Sequence, residues 1–203
     1  IFLTGFIDKV IILSKIEARI LDKNTIESGL LSEPELMENA GCLSAQYFVE
    51  NISDPFNQKV IVVVGKGNNG GDGIIVHYYL CKYGIDSTLL LSDSEILTSN
   101  VFLRYNIDKN SVLIFNKDIN LNQYDWAIDA IFGIGLSRDI QGNYVNLIEF
   151  INSHKNIISI DIPSGILCDT GNKVNIAVKS LITLTMGYAK YGHYFNDGLN
   201  NRS

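Results

Sequence analysis

The chain has 203 residues, a formal net charge of −6 and 46% hydrophobic residues. That length fits one domain with a substantial core. An acidic balance with no Lys/Arg cluster argues against nucleic acid and anionic membranes as partners. Cys42, Cys81 and Cys168 are odd in number and lack Cys-x-x-Cys spacing. They read as buried, reduced thiols in a cytosol-like compartment, so a cytoplasmic location is expected.

Residues 1–13 are apolar but short, and Asp8 and Lys9 interrupt them. A membrane-spanning helix needs about 20 apolar residues, and neither a basic leader nor a small-residue cleavage site is present. A packed extension or strand is expected there. An opening Ile in place of Met is compatible with processing or truncation. Ser14-Lys-Ile-Glu17 has the capping-box form, and Ile16, Ile20 and Ile26 follow at helical spacing. A second helix is predicted over 34–49, with Pro34 in its first turn. Residues 60–64 then read as a fully buried strand.

Downstream the elements alternate. Helices are predicted at 73–83, near 95–106 and at 143–154. Strands are predicted at 87–91, 112–115, 126–132, 157–162 and 181–186. This alternation predicts an α/β fold, a three-layer Rossmann-like sandwich whose mostly parallel central sheet carries helices on both faces. With no repeat, low-complexity tract or linker, residues 1–203 read as a single domain.

The turn after the first long strand carries the most information. In Gly65-Lys-Gly-Asn-Asn-Gly-Gly-Asp-Gly73, Gly65, Gly67 and Gly70 satisfy the G-x-G-x-x-G fingerprint. A strand that breaks into glycines and re-emerges as a helix converges backbone N–H groups on one spot, where anions bind. The alternative is a tight turn with no ligand. Asn68, Asn69 and Asp72 are polar groups that the turn does not need. Asp72 would compete with a phosphate for the positive helix end, so a site that holds a cation or reads hydroxyls and amides uses it better. The acids that might bind a ribose, Asp86 and Asp93, are poorly placed: one opens the next strand and the other lies beyond its end.

Ligands of such sheets lie outside the carboxyl ends of the strands. Two further predicted strands end in polar chemistry, at Asp129-Ala-Ile-Phe-Gly-Ile-Gly-Leu-Ser-Arg-Asp139 and Asp161-Ile-Pro-Ser-Gly165. Either alone reads equally as a cap or turn; three such ends on one edge point to a site. His77, His154 and His193 lack zinc-ligand spacing and read as surface or core residues. Lys190 and Arg138 are candidates for phosphate contact or for solvent-facing charge.

Taken together, these three motifs, with Leu36-Met-Glu-Asn-Ala-Gly41 and Thr183-Leu-Thr followed by Lys190-Tyr-Gly192, resemble the NAD(P)H-hydrate epimerases, the YjeF N-terminal domain family. The resemblance runs from about Ser14 onward. It implies an isomerase that interconverts the R and S forms of hydrated NADH or NADPH at C6 of the nicotinamide. That is a metabolite-repair step feeding an S-specific dehydratase. It also implies substrate contacts from Asn68, Asn69, Gly70, Gly71 and Asp72, and from Gly133, Ile134, Gly135, Leu136, Ser137, Arg138 and Asp139. Asp161 would face the reacting end and exchange the proton, although a capping or ion-pairing role competes with that reading. Asn69, Asp129 and Ser164 would hold a potassium ion, and oxygen donors with one carboxylate suit a hard monovalent cation.

Loss and re-addition of water through an iminium, or ring opening and closure, would each invert C6. A homodimer is implied, with the N-terminal helices as an interface. Lys66 stands where relatives often carry proline, which bears on loop stiffness. The chain is expected to be either a free-standing epimerase or the N-terminal part of a bifunctional protein. Rival readings are a catalytically inactive nucleotide-binding dimeric scaffold and, more distantly, an NAD(P)-dependent oxidoreductase.

Overall fold

The computed structural model describes residues 10–200. In chain order the elements are β1 (Ile12–Leu13), α1 (Lys15–Glu27), α2 (Glu33–Asn51), β2 (Lys59–Val64), α3 (Asn68–Lys82), β3 (Asp86–Leu91), α4 (Asn100–Arg104), β4 (Val112–Ile114), β5 (Trp126–Ala130), α5 (Asn143–Ile151), β6 (Ile157–Ile160), β7 (Ile182–Leu184), β8 (Ala189–Lys190) and α6 (Asn196–Asn200). Six strands form one sheet in the order β4-β3-β2-β5-β6-β7, every neighbouring pair parallel. The chain winds outward from β2 in one direction and from β5 in the other. The β2/β5 boundary is therefore the topological switch point, where ligands of open α/β sheets bind.

Why β2 is uniformly apolar follows from its two covered faces. Val60, Val62 and Val64 pack with Phe48 of α2 and with Ile74 and Leu80 of α3. Ile61 and Val63 point the other way, into a core with Leu147, Ile148 and Ile151 of α5.

Several element boundaries differ from those predicted, each for a local reason. The helix expected at residue 73 begins at Asn68, so the glycine-rich stretch is itself the first turn of α3. Residues 95–106 do not form one helix. Ser99 is extended, its hydroxyl caps Phe102 N–H at 3.3 Å, and a 3₁₀ turn over Ser94–Thr98 is separated from α4. β6 stops at Ile160 because Asp161 takes a left-handed φ of 68°. The expected helix at 143–154 and strands at 126–132 and 181–186 are likewise shorter, ending at Ile151, Ala130 and Leu184.

At the N-terminal side, the expected extension falls partly on residues 1–9, outside the described residues. Ile12 and Leu13 pair parallel with Ala189 and Lys190. The Ser14–Glu17 capping box forms, with Glu17 Oε2 accepting from Ser14 N–H at 2.7 Å. Ser32 and Glu35 make a second such contact at the start of α2. The helical spacing of Ile16, Ile20 and Ile26 does not mark a core face: these residues are 68%, 51% and 38% exposed. Among the described residues no helix is long and apolar enough to cross a membrane.

His77, on α3, is buried; its Nδ1 lies 2.9 Å from Ser87 Oγ and its Nε2 3.2 Å from Ser111 Oγ. Burial pulls its pKa down to about 4. Between about pH 6.5 and 4 the unfolded chain therefore binds a proton that the folded chain refuses. Stability is complete above that window and falls by about 3 kcal/mol on acidification through it. Urea denaturation across this range should show the loss, and His77→Gln should flatten it.

Candidate functional site

At the carboxyl edge of the sheet, the segments after β2, β5 and β6 enclose a cleft of about 1320 Å³. The first segment is held by backbone-to-backbone packing. A Cβ on Gly70 would overlap the carbonyl of Gly65, and one on Gly65 would overlap the carbonyl of Ile131. Only glycine permits this approach, which seats the first turn of α3 directly on the ends of β2 and β5. The free N–H groups of that turn, and the positive end of the helix, consequently open into the cleft.

Asn69, on that turn, is buried, yet neither its amide nitrogen nor its amide oxygen has a partner. Buried polar groups are rarely left so, and an orphaned amide marks a place where something else binds. Asp72, one turn on, is half-buried and lines the cleft. Burial, then the negative charges of Asp161 and Asp22, push its carboxyl well above the usual range, with Lys190 opposing.

The second segment begins at Asp129, which is completely buried at the end of β5. Its carboxylate accepts from Ser164 Oγ at 2.6 Å, Ser159 Oγ at 2.8 Å, Ser164 N–H at 2.9 Å and Ile131 N–H at 3.2 Å. Burial raises its pKa, and the Ser164 hydrogen bonds lead the opposing effects. Ser164 Oγ also accepts from Phe132 N–H at 2.8 Å, so one serine ties the second and third segments together.

Asp161 heads the third segment. Its Oδ1 accepts from Lys190 Nζ at 2.7 Å and its Oδ2 from Ile134 N–H at 3.0 Å. Its carbonyl lies 2.9 Å from His193 Nε2. Lys190 N–H donates to His193 Nδ1 at 3.0 Å, which leaves the ring proton on Nε2 to reach that carbonyl. These contacts over-determine a backbone conformation worth about 1–3 kcal/mol of strain.

From the N-terminal side, Lys15 Nζ reaches the Gly135 carbonyl at 3.0 Å, and Arg19, Leu21 and Asp22 of α1 complete the wall. Burial raises the Asp22 carboxyl pKa as well, with Lys190 acting against it and Asp161 with it.

Residues 33–192 match the family described as "YjeF-related protein N-terminus". The chain belongs to this family. It is 37% identical over 186 residues to a protein named NAD(P)H-hydrate epimerase from Oenococcus oeni, covering 90% of this chain and 88% of that one. A second such epimerase, from Lentilactobacillus buchneri, is 34% identical over 184 residues. A bifunctional NAD(P)H-hydrate repair enzyme from Thermofilum pendens is 34% identical over 195 residues, of which this chain spans 36% of the relative's length. The crystal structure of the yeast protein YNL200c superposes with a TM-score of 0.78 at 21% identity, covering 95% of this chain and 86% of that one. That likeness concerns the fold.

In this member of the YjeF-related family, the cleft gathers Asn68, Asn69, Asp72, Asp161 and residues 133–138. Gly70 and Gly71 lie beneath its surface, Gly71 against Met37 Sδ. Asp129 and Ser164 sit behind the wall, fully buried, and Asp139 is exposed outside the lining. Arg138 is exposed at the rim. Lys190 is not a solvent-facing charge, and its ammonium is already engaged within the protein. It is 2% exposed, and Asp161, Thr185 Oγ1 at 2.9 Å and the Met186 carbonyl at 2.7 Å take its three N–H donors. Asp86 pairs with Lys59 at the amino end of β3, away from the cleft. Asp93 is held by Lys66 at 2.9 Å, and that lysine also reaches Glu95, bracing the loop. Sequence reasoning passed over His193 and Asp22 as site residues, because only the return of β8 and the placement of α1 bring them there.

The Lys190–Asp161 pair is buried, so removing one partner strands the other's charge. Lys190→Met should destabilise the fold by about 3–5 kcal/mol. The double variant with Asp161→Asn should recover much of that loss, as read from urea denaturation midpoints.

Proposed function

We infer that this chain epimerises hydrated NADH or NADPH at C6 of the nicotinamide ring, a repair reaction. The single observation that carries this reading is the junction, in one cleft, of an open helix N-terminus with a carboxylate held at the facing strand end. The first suits the diphosphate of a dinucleotide; the second suits a reacting ring that turns cationic. Family membership and the named epimerase relatives supply the substrate class.

In the reaction proposed, the C6 hydroxyl leaves as water, the ring nitrogen's electrons form an iminium, and water returns to the opposite face. Asp161, whose two oxygens accept from an ammonium and a backbone N–H, would face that cation and take a proton from the incoming water. Asn68, Asn69, Asp72 and the 133–138 loop bind and orient the dinucleotide. Asp139 would contact it only at the rim.

We propose potassium as the bound cation, held by Asn69, Asp129 and Ser164. The fit rests on Asn69's unpartnered buried amide and on Asp129, a buried carboxylate whose contacts are all neutral donors. The amide oxygen of Asn69, the carboxylate of Asp129 and the hydroxyl of Ser164 would be the ligands, all oxygens, which suits a hard monovalent ion. When bound, it would offset the charge of Asp129 and of nearby phosphate.

Further proposals concern partners. An S-specific dehydratase would consume the product; the chain spans 36% and 32% of two bifunctional repair enzymes, leaving room there for a second activity. The exposed Ile16, Ile20, Leu21 and Ile26 on α1 support a homodimer that covers them. Three unpaired cysteines support a reducing, cytoplasmic setting.

Purified R-hydrate of NADH, followed by chromatography in potassium buffer against a protein-free control, should convert to S faster with this protein. Asp161→Asn should lower the catalysed rate by about 10²–10⁴-fold. A folded, ligand-binding protein that gives no acceleration would favour the inactive scaffold. Sedimentation should give a dimer mass that Ile20→Glu lowers to that of a monomer.

A further inference from the structure

Asp161 leaves β6 in a backbone conformation that few side chains adopt. With φ at 68°, it is the middle residue of a γ-turn in which Ile162 N–H donates to the Ile160 carbonyl at 2.9 Å. A γ-turn of this hand is rare and strained, and such strain persists where the surroundings enforce it, often at functional sites. The N–H of Asp161 is fixed to the sheet, donating to the Leu184 carbonyl at 2.8 Å. Its carbonyl is taken by a histidine that arrives from 32 positions further on.

His193 closes a 3₁₀ turn over Tyr191–His193 that follows β8, and it is buried. Gly192 N–H seats that turn by donating to the Cys168 carbonyl at 2.5 Å. The ring makes two contacts of opposite sense. Nδ1 accepts from Lys190 N–H at 3.0 Å, and Nε2, which carries the proton, donates to the Asp161 carbonyl at 2.9 Å. One imidazole therefore spans the main chains of both members of an ion pair whose side chains meet at 2.7 Å. The Nδ1 bond sets the tautomer and orientation of the ring. The Nε2 bond holds the peptide plane between residues 161 and 162. Without it, the carbonyl of a buried residue loses a donor, which favours rotation of that plane and relaxation of the γ-turn. A change of φ at Asp161 would turn its Cα–Cβ bond and swing away the carboxylate that Lys190 and Ile134 N–H meet.

We propose that His193 is a positioning residue of the epimerisation: its Nε2–H, acting through the Asp161 carbonyl, keeps the γ-turn and so holds the Asp161 carboxylate at the reacting end of the substrate. This rests on the epimerase reading. His193 does not line the cleft, whereas Asp161 does, so its influence on the reaction passes through that aspartate. Misplacing a catalytic group by about 1 Å can cost about 100-fold in rate. A bond behind the cleft wall is then worth a large part of kcat. Substrate binding, spread over residues 68–72 and 133–138, depends on it far less.

Two substitutions separate the two bonds. His193→Asn places an amide oxygen where Nδ1 stands, which keeps the Lys190 contact, but its side chain is too short to reach the Asp161 carbonyl. His193→Gln places an amide nitrogen where Nε2 stands and keeps the Asp161 contact. The measurement is kcat and KM for R-hydrate of NADH in potassium buffer, with the protein-free rate subtracted and the folded fraction of each variant fixed by urea denaturation. His193→Asn should lower kcat by about 10–100-fold with KM changed by less than about threefold, and His193→Gln should keep kcat within about threefold of wild type. A role in stability alone lowers the folded fraction and leaves kcat per folded molecule unchanged. If His193→Asn keeps kcat within about threefold of wild type, loses activity through KM alone, or matches His193→Gln, the proposal is overturned. Should His193→Asn fail to fold, His193→Gln decides: kcat within about threefold of wild type supports the Asp161 bond, and a larger loss overturns it. A folded wild-type protein with no epimerisation would instead overturn the epimerase reading itself.

Discussion

Asp129 carries a carboxylate into the sheet interior, and the shape of the cleft depends on how that group is satisfied. It accepts from Ser159 on the neighbouring strand, from Ser164 on the next loop, and from its own chain at Ile131. Ser164 passes the link on to Phe132. A buried carboxylate stripped of these donors would face a large desolvation penalty. The network therefore clamps the ends of β5 and β6 at a fixed separation. Asp161 lies three residues before Ser164, so its backbone kink is set by the same clamp.

The Asp161–Lys190 pair then gives the cleft its polarity. Lys190 arrives from the far C-terminal side, on β8, and among the described residues β8 is paired only with the short strand β1. The ends of the described chain thus cooperate to hold one ammonium against one carboxylate. Asp72 and Asp22 see the negative charge of Asp161 with little compensation left over from a lysine already saturated by acceptors. A cation near Asn69 and Asp129 would relieve this imbalance, and a dinucleotide's cationic intermediate would benefit from it.

Much of this was legible in the sequence, for physical reasons that differ by residue. The run from Val60 to Val64 announced a two-sided buried strand because both faces must be apolar. The three polar strand ends could be placed on one edge because parallel strands put their carboxyl ends together. The onset of α3 was hidden, since glycines at 70, 71 and 73 carry poor helix propensity; Gly70 is required by the backbone of Gly65, Gly71 by the Met37 side chain and Gly73 by those of Ala130 and Val64. The burial of Lys190 was hidden because its partner, Asp161, lies 29 positions away, and nothing local told that His193, a core residue as one of the expected alternatives had it, reaches the same aspartate across 32 positions. Helical spacing identified α1 but not what its apolar stripe faces, because periodicity reports a face and not its neighbour.

The most direct test is a crystal structure of the protein with hydrated NADH in potassium. The account predicts the diphosphate against the first turn of α3, the C6 end of the nicotinamide within hydrogen-bond reach of Asp161, and a cation contacted by Asn69. A dinucleotide bound with its adenine at Asp161, or bound outside the cleft, would contradict it.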